Sequence, residues 1–355
     1  MNKLQRFHAA VRGEPVDYVP TVAWCNFATD AVDGAENARR QLAFQEACDW
    51  DLCKVMNDYR LAPPAGIETI ETPADMLRFA RQSMSERIFA EQLECLRILR
   101  ARLGPEIPLI DTLFEPFFSL LFAVGFSRAP FIRSHPAEAA SMLGALTDTF
   151  ADYAAELRKI PVDGILYATN ACILAPSSRG ISDAEFRAFH RPYDLRLLNA
   201  MEGLVRIVHA HGNPLDLSRI LDYPCEVLSW SDRLPGNASI AAVRKLTGKC
   251  LMGGVDESKL QEKSLPEIRA EVADALATRA GWARQLQAQR VQTQADTERL
   301  RLVALRLQHG AASQLDVLEL ERTVLADQQA LTAAQWAYLQ SQVTLYKVLG
   351  GGPEE

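Results

Sequence analysis

Gly164-Ile165-Leu166-Tyr167-Ala168 is a short apolar run. A helical stretch follows at Asp183–Leu204, and then a second run of the same kind, Val205-Arg206-Ile207-Val208-His209. Strand, helix and strand in that order call for two parallel strands joined by a crossover helix. Ser182-Asp183-Ala184-Glu185 marks the helix start, with Ser182 as N-cap and Glu185 three residues on. Working outward, the same unit repeats. Val19–Trp24, Leu52–Met56, Ile107–Leu113, Glu226–Trp230 and Cys250–Val255 are further strand candidates, and Ala74–Leu103, Ala137–Lys159 and Leu265–Ala280 are further helical stretches. Seven strands separated by helices predict an α/β fold, a (β/α)8 TIM-like barrel lacking its eighth strand. A doubly wound sheet is the alternative.

In such barrels the active site sits at the C-terminal ends of the strands. That rule selects Trp24-Cys25-Asn26, Asn57-Asp58-Tyr59, Asp111, Glu115, Tyr167-Ala168-Thr169-Asn170, His209-Ala210-His211-Gly212, Trp230-Ser231-Asp232 and Gly253-Gly254-Val255-Asp256. Asp58, Tyr167 and His209 are the candidate catalytic groups. Trp24, Asn26, Thr169, Asn170, Trp230 and Asp256 are the candidate substrate contacts. His209 and His211, two apart on leaving a strand, can point to one side and hold a metal, with Asp232, Asp256 or Glu115 as third ligand. The competing reading makes His209 a packed core histidine and His211 a loop donor. For Asp111, Glu115 and Asp256 a hydrogen-bonding role competes with catalysis.

Composition narrows the function classes. The net charge of −7 provides no bulk attraction to nucleic acid or an anionic membrane. There is no run of 18 apolar residues, and Met1–His8 lacks the apolar segment of a secretory signal. Seven cysteines, odd in number and scattered, favour reduced thiols and a cytoplasmic location. The expected partner is a small-molecule substrate, with no nucleic acid and no membrane.

Several segments in order resemble the uroporphyrinogen decarboxylase (URO-D) superfamily over about residues 1–280. They are Arg12–Pro20, Ile181–Tyr193, Ile207–Gly212, Leu228–Arg233, Leu251–Asp256 and Leu265–Val272. The resemblance implies a TIM barrel with one of two chemistries. One is decarboxylation of a tetrapyrrole or related substrate without a cofactor. The other is zinc-dependent methyl transfer between corrinoids and thiols. It places Asp58 near the family's catalytic aspartate, and Tyr167 and Thr169 at substrate-contacting positions. The family's decarboxylases carry arginines after the first strand that face substrate carboxylates; Cys25-Asn26-Phe27-Ala28-Thr29 has none. The methyltransferases use His-x-Cys where this chain has His209-Ala210-His211.

The composition changes at Gly281-Trp282. Beyond it proline is absent until Pro353, cysteine disappears and glutamine becomes common. The boundary divides the chain into a barrel, 1–280, and a helical hairpin, 281–355. Within the hairpin Gly310 is the expected helix stop and Ser313 the next N-cap. Val317, Val324, Leu331, Tyr338 and Leu345 recur at seven-residue spacing, with Leu318, Leu325 and Leu339 beside them, a stripe that asks for a helical partner. Gly310–Leu318 and Leu345–Gly352 resemble the C-terminal repeat of outer-membrane efflux factors (the TolC-like family), over about residues 283–350. Three roles are open to the hairpin: dead weight, a self-association handle that gives a homo-oligomer, or a cover for the open barrel.

The expected function is therefore a URO-D-like carboxy-lyase. Two alternatives stand beside it: a zinc-dependent methyltransferase of the same superfamily, and a non-functional fusion product whose hairpin self-associates.

Overall fold

The computed structural model describes residues 1–24, 26–174, 179–253 and 265–348, with side-chain detail for 284–335 in the last stretch. The chain separates into two compact units, Met1–Gly253 and Gly254–Glu355.

The first unit is built on six parallel strands in sequential order: β1 Cys53–Lys54, β2 Leu109–Phe114, β3 Gly164–Thr169, β4 Val205–Ala210, β5 Val227–Trp230 and β6 Cys250–Met252. They curl into a half-barrel. The register sets Ala168 opposite His209, and His209 opposite Ser229. The helices α1 Lys3–Val11, α2 Gly34–Cys48, α3 Pro73–Leu77, α4 Arg87–Leu103, α5 Pro116–Val124, α6 Ala129–Arg133, α7 Pro136–Leu157, α8 Asp183–Glu185, α9 Arg191–Ala200 and α10 Ile240–Arg244 accompany the strands.

Side chains alternate across each strand. One face, carrying Leu113, Ile165, Tyr167, Val208 and Leu228, belongs to a large buried core shared with the helices. The other face, carrying Ile110, Leu166, Ala168, Ile207 and Val227, forms a smaller inner cluster with Phe7 and Leu52. Phe7 comes from α1, which plugs the N-terminal end of the half-barrel. The segment after α1 is tied down by Arg6, buried, which donates to Asp17 at 2.7 Å and to Asp51 at 3.1 Å.

Two sequence expectations are corrected here. Val19–Trp24 is not a strand. Its chain touches the sheet region through Asp51 N–H to the Thr21 carbonyl at 3.0 Å and Thr21 N–H to the Asp51 carboxylate at 2.8 Å. Pro20 brings no N–H to a ladder. Among the described residues the sheet thus has six strands, not seven, and does not close. The helix expected over Ala74–Leu103 is broken into α3 and α4. Thr72 caps α3 in a capping box with Asp75, and between the two helices Gln82 N–H finds the Thr149 hydroxyl at 3.0 Å.

The strand–helix–strand unit at 164–210 matches its expected course, with one addition. Ser182 and Glu185 form the expected capping box, but Phe186–His190 widens into a π-helical turn before α9. Pro192 stands in the first turn of α9 and cannot donate to the ladder behind it. One-turn π segments of this kind are often found at functional sites.

In the second unit, α11 Leu265–Gln308 and α12 Gln314–Val348 form an antiparallel hairpin. The helix expected to end near Ala280 instead runs unbroken through Gly281-Trp282, so the compositional boundary is not a structural break. Gly310 takes φ 71° at the turn. Ser313 caps α12, its hydroxyl accepting from Asp316 N–H at 3.2 Å and donating to the Asp316 carboxylate at 2.7 Å. Val317, Leu320 and Val324 are buried, whereas Leu318 and Leu325 face solvent. Leu331 is half-buried, and the side chains of Tyr338, Leu339 and Leu345 lie outside the described residues. Among the described residues, no helix is long and apolar enough to cross a membrane.

Candidate functional site

The C-terminal ends of the strands open on a cavity of about 290 Å³. Each wall follows from the alternation of the strands. Lys54 and Met56 come from β1 and its exit, Thr112 and Phe114 from β2, Leu166, Ala168 and Asn170 from β3 and its exit, and His209 and His211 from β4 and its exit. Trp24 and Asn26, from the stretch before α2 that forms no strand, complete the lining. A smaller cavity of about 120 Å³ adjoins it, shares Asn26, Met56 and Thr112, and is lined by Asp58 and Tyr59.

Lys54 is the charged centre of this mouth. It is 4% exposed, and its Nζ lies 4.6 Å from the centroid of the Trp24 ring, within cation–π range. His209 Nδ1 pairs with the Ser229 hydroxyl at 3.0 Å, and its ring meets Trp24 edge-on with centroids 6.1 Å apart. Burial, then the neighbouring His211, then the Lys54 ammonium push the His209 imidazole down to about 3, so it is neutral at physiological pH. The His209 and His211 rings are 6.0 Å apart by centroid.

The sequence-predicted residues divide into two groups. Trp24, Asn26, Asn170, His209 and His211 meet at the mouth, and Asp58 stands in the adjoining cavity. Tyr167, Thr169 and Trp230 do not reach it. Tyr167 lies on the helix-facing side of β3, where its hydroxyl donates to Asp194 at 2.6 Å. Trp230 Nε1–H donates to the Ala238 carbonyl at 2.7 Å. The Thr169 hydroxyl, buried, accepts from Ala171 N–H at 3.1 Å. The structure places these three in the packing of the fold and not on the wall of the mouth. The reason is parity: being at a strand end does not say which face a side chain takes.

Asp111 also points into the helices. It accepts from Gln92 Nε2 at 2.8 Å and Tyr153 Oη at 2.7 Å, and burial raises its carboxyl to about 6 against the pull of those hydrogen bonds. Asp256 lies outside the described residues. Lys54 was missed by the sequence reading. The signal was available: a lysine inside the apolar run Leu52–Met56, at the parity that faces the barrel interior.

The metal reading is tested by the donor set. Catalytic zinc sites use three protein ligands. The mouth presents two imidazoles, and one of them spends Nδ1 on Ser229. Of the expected third ligands, Glu115 is paired with His190 at 2.7 Å. Asp232 is taken up elsewhere, its carboxylate within 3.4 Å of Arg233 Nε and close against Gly253, where a Cβ would stand 2.6 Å from Oδ1. Among the described residues no group of three metal-ligating side chains comes together. Among the described residues the set stops at two imidazoles, Asp256 lies outside them, and no step is routed through a metal.

Comparison with known proteins gives two non-equivalent matches. The family model of uroporphyrinogen decarboxylase (URO-D) matches residues 56–286, and that of outer membrane efflux protein matches residues 258–351. The chain is 39% identical over 110 residues to the probable efflux pump outer membrane protein TtgC of Pseudomonas putida, covering 29% of this chain and 23% of that protein. It is 37% identical over 94 residues to the cation efflux system protein CusC of Escherichia coli, covering 26% and 20%. This chain therefore spans less than a quarter of the length of these relatives. A solved methyltransferase structure from Methanosarcina mazei superposes with a TM-score of 0.57 at 18% identity, over 76% of this chain and 88% of that one. At that identity the likeness shows the fold alone.

Proposed function

The chain belongs to the uroporphyrinogen decarboxylase family, and on that premise we propose that its half-barrel mouth is a carboxylate-binding site with metal-free carboxy-lyase chemistry. The observation that carries this reading is the Lys54 ammonium, 4% exposed, lining the mouth 4.6 Å from the Trp24 ring centroid. A charge withdrawn from water attracts an opposite charge far more strongly than an exposed one does. A substrate carboxylate entering the mouth would meet that charge on the cavity wall, beside the Met56 sulfur to which the ammonium donates.

In the reaction the bond between the carboxyl carbon and its neighbour breaks. Carbon dioxide leaves, the electron pair stays on the remaining carbon, and that carbon takes a proton. Lys54 Nζ–H is the proton donor the mouth offers. His209 cannot serve, because an imidazole pushed down to about 3 carries no second proton at neutral pH. It acts as a neutral hydrogen-bonding wall. A mouth of about 290 Å³ lies at the lower edge of small-molecule pockets, which favours an organic acid smaller than a tetrapyrrole. The free thiols of the first unit, most of them buried, support a reducing, cytoplasmic setting. The exposed Leu315, Leu318 and Leu325 of the hairpin support self-association.

One observation favours zinc-dependent methyl transfer as a second reading: His209 and His211 line the same cavity. Equilibrium dialysis of the full chain against zinc separates the two. Stoichiometric zinc that is retained by the native chain and lost in His211→Ala would replace the metal-free reading.

The direct test is carbon dioxide release from a panel of aromatic and pyrrole carboxylates, uroporphyrinogen III included. Removing a positioned proton donor lowers such rates about 10²–10⁴-fold, so Lys54→Met should lose activity by that much while remaining folded. No release from any member of the panel, or full activity in Lys54→Met, overturns the proposal.

A further inference from the structure

A second cavity, of about 380 Å³, opens beside the mouth between α5, α6 and the exit of β3. Apart from Asn170, which lines both cavities, its polar groups are not those of the carboxy-lyase site. Glu115, which follows β2, and His190, which ends the π turn, are each 1% exposed, and the carboxylate meets His190 Nδ1 at 2.7 Å. With the carboxylate on Nδ1, Nε2 is the ring nitrogen left for an occupant of the cavity. Phe117 packs edge-on against the ring, with centroids 5.0 Å apart, and fixes its plane.

Two buried polar atoms of this cavity's wall have no hydrogen-bond partner: His190 Nε2 and Asn170 Oδ1. Buried polar atoms left unpaired are costly and rare, and two lining one cavity call for a hydrogen-bonding occupant. A requirement for an acceptor comes from Arg133. Arg133 pairs with Glu185 through its terminal nitrogen at 3.0 Å, yet its Nε is buried without a partner. The Arg179 guanidinium lies 4.6 Å from the Phe126 centroid on the same wall. Rings flank both arginines. The cavity thus combines unpaired polar atoms, cations and an aromatic lining.

We propose that this cavity is a second ligand site, for a small aromatic acid whose hydroxyl groups, able to donate or accept, pair with His190 and Asn170 and whose carboxylate meets Arg133. His190 and Asn170 select a hydroxylated ligand, because a ligand without hydroxyl groups leaves both atoms unpaired. The site is independent of Lys54.

Isothermal titration of the full chain with 3,4-dihydroxyphenylacetate and with phenylacetate tests this. The dihydroxy acid should bind one to one, at least tenfold more tightly than phenylacetate, and shift the Nε2 resonance of ¹⁵N-labelled His190. His190→Gln and Arg133→Met should each weaken it at least tenfold, and Lys54→Met should leave it unchanged. Because His190 is buried, Ser127→Trp provides a second test: Ser127 is an exposed residue of the cavity wall, so the variant blocks the cavity without touching the pair. It should abolish binding with unchanged melting. No binding of the dihydroxy acid, equal affinity for the two acids, undiminished binding in Ser127→Trp, or loss in Lys54→Met would overturn the proposal. The last result would place the ligand in the barrel mouth.

Discussion

Replacing His209 with glutamine should make the first unit less sensitive to acid. An imidazole in an unfolded chain titrates near 6.5, and in the fold His209 is pushed down to about 3. Between those values the unfolded state holds a proton that the native state lacks, so acid favours unfolding. The contribution is complete above 6.5 and is lost as pH falls toward 3. At pH 4.5 the ceiling is roughly 2.7 kcal/mol, two pH units at about 1.36 kcal/mol each. The ring is half-buried rather than sealed, and water at its edge reduces this to roughly 1–1.5 kcal/mol. The measurement pairs an NMR titration of ¹⁵N-histidine with urea unfolding at pH 7.5, 6.0 and 4.5. The wild type should lose that much more stability than His209→Gln across the range. Lys54→Met should move the His209 midpoint upward, since the ammonium is one of the three causes of its depression. A His209 midpoint between 6 and 7, or identical acid sensitivity in the two proteins, would refute the reasoning.

Asp111 should show the opposite sign. Its carboxyl is raised to about 6 from 3.8, so the native state keeps a proton that the unfolded chain sheds, and stability falls as pH rises from about 4 to 6, by up to about 3 kcal/mol. Asp111→Asn should remove that slope in urea titrations, and an unchanged slope would count against it. Tyr167→Phe leaves the buried Asp194 with the Tyr223 hydroxyl as its remaining tyrosine donor, at 2.7 Å, and should cost about 1–3 kcal/mol on melting with substrate turnover unaffected. A hundredfold fall in turnover at constant stability would restore Tyr167 to the site. Gly164→Ala would place a Cβ 2.5 Å from the Val205 carbonyl in the neighbouring strand and should destabilise the fold by about 1–3 kcal/mol or more; a neutral melting temperature would show that the β3–β4 approach is looser than described.

Much of the fold was legible locally. β2 to β6 each lie on or within a residue or two of an apolar run bounded by polar or glycine residues. The caps at Ser182 and Ser313 are satisfied by carboxylates three residues on, an interaction local enough to read from spacing. The failures share a cause. Val19–Trp24 has the composition of a strand, but pairing depends on a neighbour's free hydrogen-bonding groups, and Pro20 interrupts it. The helix from Leu265 continues through Gly281-Trp282 because neither residue prevents helical backbone, whatever the change in composition around them.

The site was half legible for the same reason. By itself the amino-acid order determined which residues reach the C-terminal ends of the strands, because periodicity and turn signals are local. Tertiary structure decided which side of the sheet each one faces and what it meets there. Parity sent Tyr167 and Trp230 into the helical layer and brought Lys54 to the mouth. Glu115 and His190, 75 positions apart in the chain, became neighbours when a π turn carried the ring to the exit of β2. Contacts of that separation depend on register and packing across the whole half-barrel, which no short stretch of sequence contains.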